Sequence, residues 1–120
     1  MENPSPPSFN DRRRYPRIQY SLDVDLGETP ACTHKGQVTT LGVGGCFVRT
    51  SLEIAQGGLI FIRLLLAPQS ERAMEGVVWG RVAYQTPGLG LGVEFKKLPP
   101  GYEEHIRDIV EFHLEGGEGT

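Results

Sequence analysis

Four arginines, Arg12, Arg13, Arg14 and Arg17, fall within six positions of a 120-residue chain whose formal charge is −3. A guanidinium is a planar fork of donors that stays charged and engages a phosphate at two points or stacks on a flat ring. Two forks four residues apart, Arg13 and Arg17, can close on a small anion from opposite sides. They can equally form a solvated turn or pair with the chain's own carboxylates, because charge runs usually face solvent. A second stretch with chemical potential is Gly42-Val43-Gly44-Gly45. Its backbone N–H groups can cradle a ligand, or the segment can be no more than a tight turn. It lacks the GxGxxG spacing and no helix follows it, which argues against a dinucleotide or Walker-type phosphate site.

Other chemistry finds little support. Ser21, Ser51 and Ser70 sit in no elbow or triad context, and no pair of acids is arranged for proton transfer. Catalysis is not expected. His34, His105 and His113 show no metal-ligand spacing, although His105 and His113 can share a helix face. Cys32 and Cys46 are separated by thirteen residues without a second pair, so zinc is not implied. They are expected to be small, buried, reduced thiols. No metal or cofactor follows from these patterns.

Composition fits a single globular domain: 38% hydrophobic and 22% charged, with 16 glycines and 9 prolines favouring many turns over long helices. The charge is polarised. Asp11 to Arg17 carries a net +3, whereas Glu94 to the end carries seven acids against three bases. An acidic chain does not suit nonspecific DNA or RNA, which needs many distributed phosphate contacts. A short basic cluster on that background suits a small anion. The N-terminus has no signal-peptide character, and Leu59 to Ala67 is too short and too interrupted to span a membrane. A cytoplasmic location is the expectation.

The elements that must position the arginines are mostly strands. Residues 1–10 read as a disordered lead-in. Ile18, Tyr20, Leu22, Val24 and Leu26 alternate with polar residues, the period of a strand with one buried face. A weaker strand covers Cys32 to Leu41, with Gly36 as a bulge, and another runs from Cys46 to Thr50. Leu59 to Leu66 is continuously apolar and is expected to be a central strand buried on both faces. After a polar loop at 67–71, a strand follows from Met74 to Gln85, with Gly76 and Gly80 as bends and Trp79 as core or rim packing. Thr86-Pro87-Gly88 turns into Leu89 to Phe95. Pro99-Pro100-Gly101 opens the one helix, whose Tyr102, Ile106, Ile109, Val110 and His113 keep a 3.6 period until Gly116-Gly117. The expected fold is mainly β, a six-stranded antiparallel barrel with a C-terminal helix over an end or seam. One domain spans 11–115, and 116–120 form a flexible tail.

The arginine cluster, the following strand, the glycine loop and the late Gly90-Leu91-Gly92-Val93-Glu94-Phe95 together resemble the PilZ domain, a family of bacterial receptors for cyclic di-GMP. The family's RxxxR motif corresponds to Arg13-Arg14-Tyr15-Pro16-Arg17. Its (D/N)xSxxG motif aligns with Thr40-Leu41-Gly42-Val43-Gly44-Gly45, followed by Cys46-Phe47-Val48. The resemblance covers about Asp11 to Leu114. It implies a barrel that binds cyclic di-GMP through Arg13 and Arg17, with Arg12 and Arg14 beside them and with Thr40, Gly42, Gly44 and Gly45 at the second motif. It also implies an N-terminal loop that orders on binding and signals to a protein effector.

The second motif departs from the family. Thr40 replaces Asp or Asn, Gly42 replaces Ser, and only Gly45 matches. A carboxylate accepts from two guanine donors together, whereas a hydroxyl accepts from one side and glycine offers nothing. Without compensation from backbone N–H groups or Thr39, the combined loss is roughly 10²–10³ in affinity. Gly42 is also a position where a positive φ would forbid serine. Two readings follow: a cyclic di-GMP receptor, or a PilZ-fold adaptor that has lost the nucleotide and works through protein contacts, as in pilus or motility control. A barrel for single-stranded nucleic acid is disfavoured by charge.

Overall fold

The computed structural model describes residues 16–66 and 74–114. Arg12, Arg13 and Arg14, the lead-in at 1–10, the loop at 67–71 and the tail at 116–120 lie outside the described residues. Six strands follow in chain order: β1 (Arg17–Gly27), β2 (His34–Gly42), β3 (Gly45–Arg49), β4 (Leu59–Leu66), β5 (Met74–Thr86) and β6 (Gly90–Lys97). They close antiparallel into a barrel in the order β1-β2-β3-β6-β5-β4, and helix α1 (Tyr102–Phe112) completes the described chain.

The interior is filled by the residues the alternation marks. Ile18, Val24 and Leu26 of β1 face Leu41, Val38, Cys46 and Val48 of β2 and β3, and Ile60, Ile62, Leu64 and Leu66 enter from β4. Each fully buried Leu or Ile contributes about 1.5–3 kcal/mol relative to exposure. Both cysteines are buried and free, as expected. Cys32 lies outside the strand predicted to contain it, in the β1–β2 turn at φ 52°.

The seam is narrow where β1 meets β4. Only Asp25–Gly27 pair with Phe61–Arg63, so the start of β1 and the end of β4 diverge. Helix α1 packs into that divergence. The Tyr102 hydroxyl donates to the Leu64 carbonyl oxygen at 2.8 Å, and the Tyr20 and His113 rings meet edge to face at 5.9 Å. The apolar period places Tyr102, Ile106, Ile109 and Val110 in the core, while Glu103 and Glu104 occupy the first turn, where acids favour the helix dipole.

Several local expectations need correction. β4 is not buried on both faces: its burial alternates, with Leu59 37% and Leu65 47% exposed. A closed barrel has one interior, so the outward half of an apolar run faces solvent. Trp79 sits opposite Phe61 on that outer surface, outside the core cluster. The irregularity predicted at Gly36 falls instead between Gln19 and Leu22 of β1 and between Val38 and Thr40 of β2. Gly36 stays in register opposite Val24, where a Cβ would crowd Leu26 and Val48. Gly80 does sit at a register shift, whereas Gly76 pairs regularly with Leu64. The Thr86-Pro87-Gly88 turn forms as expected, with Gly88 at φ 78° and the Leu89 N–H donating to Thr86 O at 2.9 Å.

Candidate functional site

The second motif occupies the β2–β3 hairpin. Gly42 pairs with Gly45, leaving Val43 and Gly44 as the turn, so Gly42-Val43-Gly44-Gly45 is a tight turn in its backbone. The Phe95 N–H donates to the Gly44 carbonyl at 2.9 Å and ties the turn to β6. On the other side Gly42 pairs with Arg17, the first residue of β1, and Gly45 pairs with Glu94. Arg17, Gly42, Gly45 and Glu94 therefore stand in one row across four strands.

Arg17 lies down across this row. A Cβ on Gly42 would come within 2.9 Å of Arg17 Cγ, and one on Gly45 within 2.7 Å of Arg17 Nη2. The two glycines form a bare floor beneath the stem and guanidinium of the last RxxxR residue. Among the described residues Arg17 forms no ion pair; those pairs use Lys35, Arg63, Lys96 and Arg107. Glu94, across the row, is bridged to Lys96 at 3.5 Å. On the acidic helix, Glu103 is held by Arg107 at 2.9 Å.

Gly42 does not have the positive φ anticipated for it. Serine is excluded there for a different reason: a Cβ would lie 2.7 Å from the Pro16 carbonyl oxygen as well as against Arg17. Thr40 is half-buried and pairs across the barrel surface with Gln19 on one side and Phe47 on the other. Gln19 is exposed and adds a carboxamide, donor and acceptor together, beside the position of the missing acid. Only the cross-strand register reveals that neighbour; nothing local in the sequence does. Thr39 occupies the β2 irregularity.

Beneath the floor lies Cys46. Burial pushes its thiol up to about 12, with the Arg17 charge opposing the shift. The folded value exceeds the unfolded value of about 8.5, so the stability gained by keeping the thiol neutral is complete below that pH. Above it, this gain should fall by about 1.4 kcal/mol per pH unit until the folded value is reached. Chemical-denaturation midpoints at pH 8 and pH 10.5 should therefore separate more for the wild type than for Cys46→Ala.

Charge, a glycine floor and a hydroxyl–carboxamide pair on one outer face can take a phosphate and the polar edge of a base. Among the described residues no group of His, Cys, Asp or Glu could hold a metal ion, and no helix is long and apolar enough to cross a membrane.

Comparison with known proteins agrees with this architecture. The inhibitor of motility MotI/DgrA of Bacillus subtilis superposes with a TM-score of 0.71 at 18% identity, over 88% of this chain and 53% of that one. The chain thus spans about half the length of MotI/DgrA. The PilZ domain of CeSA from a cellulose-synthesizing bacterium superposes with a TM-score of 0.58 at 20% identity, over 82% of this chain and 97% of that domain. At these identities the likeness is one of fold. No curated protein matches the chain. The family model described as the PilZ domain matches residues 11–112, nearly the whole chain, and the chain belongs to that family.

Proposed function

We propose that the protein is a cytoplasmic binding module for cyclic di-GMP, not an enzyme, and that it signals to a protein effector when the nucleotide is bound. The observation that carries this reading is the Arg17 guanidinium, which forms no ion pair among the described residues and lies over the Gly42–Gly45 floor. A planar fork with no carboxylate partner among the described residues is ready for a phosphodiester, and the bare floor lets it lie flat against the backbone. Arg13 belongs to the same grip, with Arg12 and Arg14 beside it, and the N-terminal segment folds down over the ligand. Gln19 supplies part of what Thr40 cannot. The effector belongs to motility control, the process named for MotI/DgrA.

Calorimetric titration with cyclic di-GMP tests this reading. Saturable heat at micromolar or tighter affinity, lost in Arg13→Ala and Arg17→Ala, supports it. A folded protein that gives no heat at high ligand concentration points to the other reading, a PilZ adaptor working by protein contacts alone. The filled space at Gly42, where Arg17 replaces any serine hydroxyl, is what favours that alternative.

Thr40→Asp should tighten binding by about 10-fold, since a charge-assisted bond replaces a neutral one. The double change with Gly42→Ser should do worse than Thr40→Asp alone, because the added Cβ displaces Pro16 and Arg17. The same titration reads both outcomes.

A further inference from the structure

We infer that Phe47 and Tyr84 form a stacking platform for one base of the bound nucleotide; this rests on the reading above and extends it to residues outside both motifs. On the outer surface, the row next to the Arg17 row runs Gln19, Thr40, Phe47, Gly92 and Tyr84 in cross-strand register. Two residues along a strand separate neighbouring rows, about 7 Å. A phosphate held at Arg17 therefore leaves the attached base free to fall on this row.

The two aromatic side chains are arranged as a surface. Their ring centroids are 6.1 Å apart with planes at 25°, an offset, nearly parallel pair. Gly92 makes the arrangement possible, because Tyr84 ring carbons occupy the place where a Cβ on Gly92 would stand. Neither ring belongs to the core cluster, and Tyr84 remains 42% exposed. Covering a glycine on the neighbouring strand explains why Tyr84 lies flat. It does not explain why a second ring, Phe47, lies at 25° to it on the same outward row.

A purine on those rings gains a contact that every base can make, independent of the hydrogen-bonding edge. Such a contact offsets part of what Thr40 and Gly42 have removed. Thr40, one strand from Phe47 along the row, stands where the edge of the same base would be read, with Gln19 next to it. The family motif thus keeps its phosphate grip while base affinity moves from a carboxylate to an aromatic face.

The test is NMR of the full chain saturated with cyclic di-GMP, together with affinities for Tyr84→Leu, Phe47→Leu and Tyr84→Phe. The platform predicts an upfield-shifted purine H8 and contacts between H8 and the Tyr84 or Phe47 ring protons in the wild type. It predicts affinity lower by about 10- to 100-fold in the two leucine variants and retained in Tyr84→Phe. Because the H8 contacts are read on the wild type, a variant that fails to fold does not blunt the test. A tightly bound nucleotide with no ring contacts, or leucine variants that bind as the wild type does, overturns the platform and leaves the Arg17 grip standing. No binding by the wild type overturns both.

Discussion

Arg17→Ala is expected to weaken cyclic di-GMP binding by about 10²-fold or more while the barrel stays folded. The size follows from what is removed. A guanidinium on a phosphodiester makes two parallel charge-assisted bonds, each contributing about 1.5–3 kcal/mol. Alanine keeps neither, and no other basic residue stands on the Gly42–Gly45 floor among the described residues. The effect on stability should be slight, within about 1 kcal/mol, because Arg17 is exposed, forms no ion pair among the described residues and only lies over the two glycines. Titration for affinity and thermal unfolding for stability measure the two effects separately. Lysine at this position should recover only part of the loss, as a point charge without the fork.

Gly45→Ala should have the opposite balance, with a loss of stability of about 3 kcal/mol. A Cβ there falls inside the van der Waals envelope of the Val93 carbonyl oxygen, and it also meets Arg17 Nη2 at 2.7 Å. The first of these is backbone, held by the pairing of β3 with β6 from Gly45–Glu94 to Arg49–Gly90, so it cannot swing aside. Relief requires the two strands to separate next to Cys46 and Val93, both fully buried. Against a total of about 5–15 kcal/mol for a domain, that is a large share. Urea unfolding gives the number. Gly57→Ala is the contrasting case, since nothing lies within 4 Å of its added Cβ and only the φ of 87° resists it. The one position of the second family motif that this chain retains is thus one that its own barrel cannot alter.

Much of this was legible beforehand, for identifiable reasons. The alternation from Ile18 to Leu26, the Pro87-Gly88 turn and the 3.6 period after Gly101 each encode their element locally, and the six strands and helix appear where those signals lie. Arg17 was legible as a candidate because guanidinium chemistry is read from residue type, whereas its place over Gly42 and Gly45 was not. What failed depended on closure and register. Leu59 to Leu66 reads as buried throughout because hydrophobicity cannot say which side of a strand a barrel will turn inward. Phe61 and Trp79 meet on the outside for the same reason. The strand irregularities depend on which residues pair, so Gly36 drew attention that belonged to Gln19–Leu22 and Val38–Thr40. Likewise, Gln19 beside Thr40, and Phe47 beside Tyr84 across Gly92, become neighbours only after β1, β2, β3, β6 and β5 are laid side by side. Gly42 was marked for the wrong cause: the constraint is the nearness of Pro16 and Arg17, not the sign of φ.

The most direct measurement is an NMR titration of the isotope-labelled chain with cyclic di-GMP, following the Arg17 side-chain Nε–H and the backbone amides of Gly42, Gly44 and Gly45. A guanidinium closing on a phosphodiester above that floor should shift all four together and saturably. Shifts confined to other strands, or none from a folded protein at saturating ligand, would contradict it.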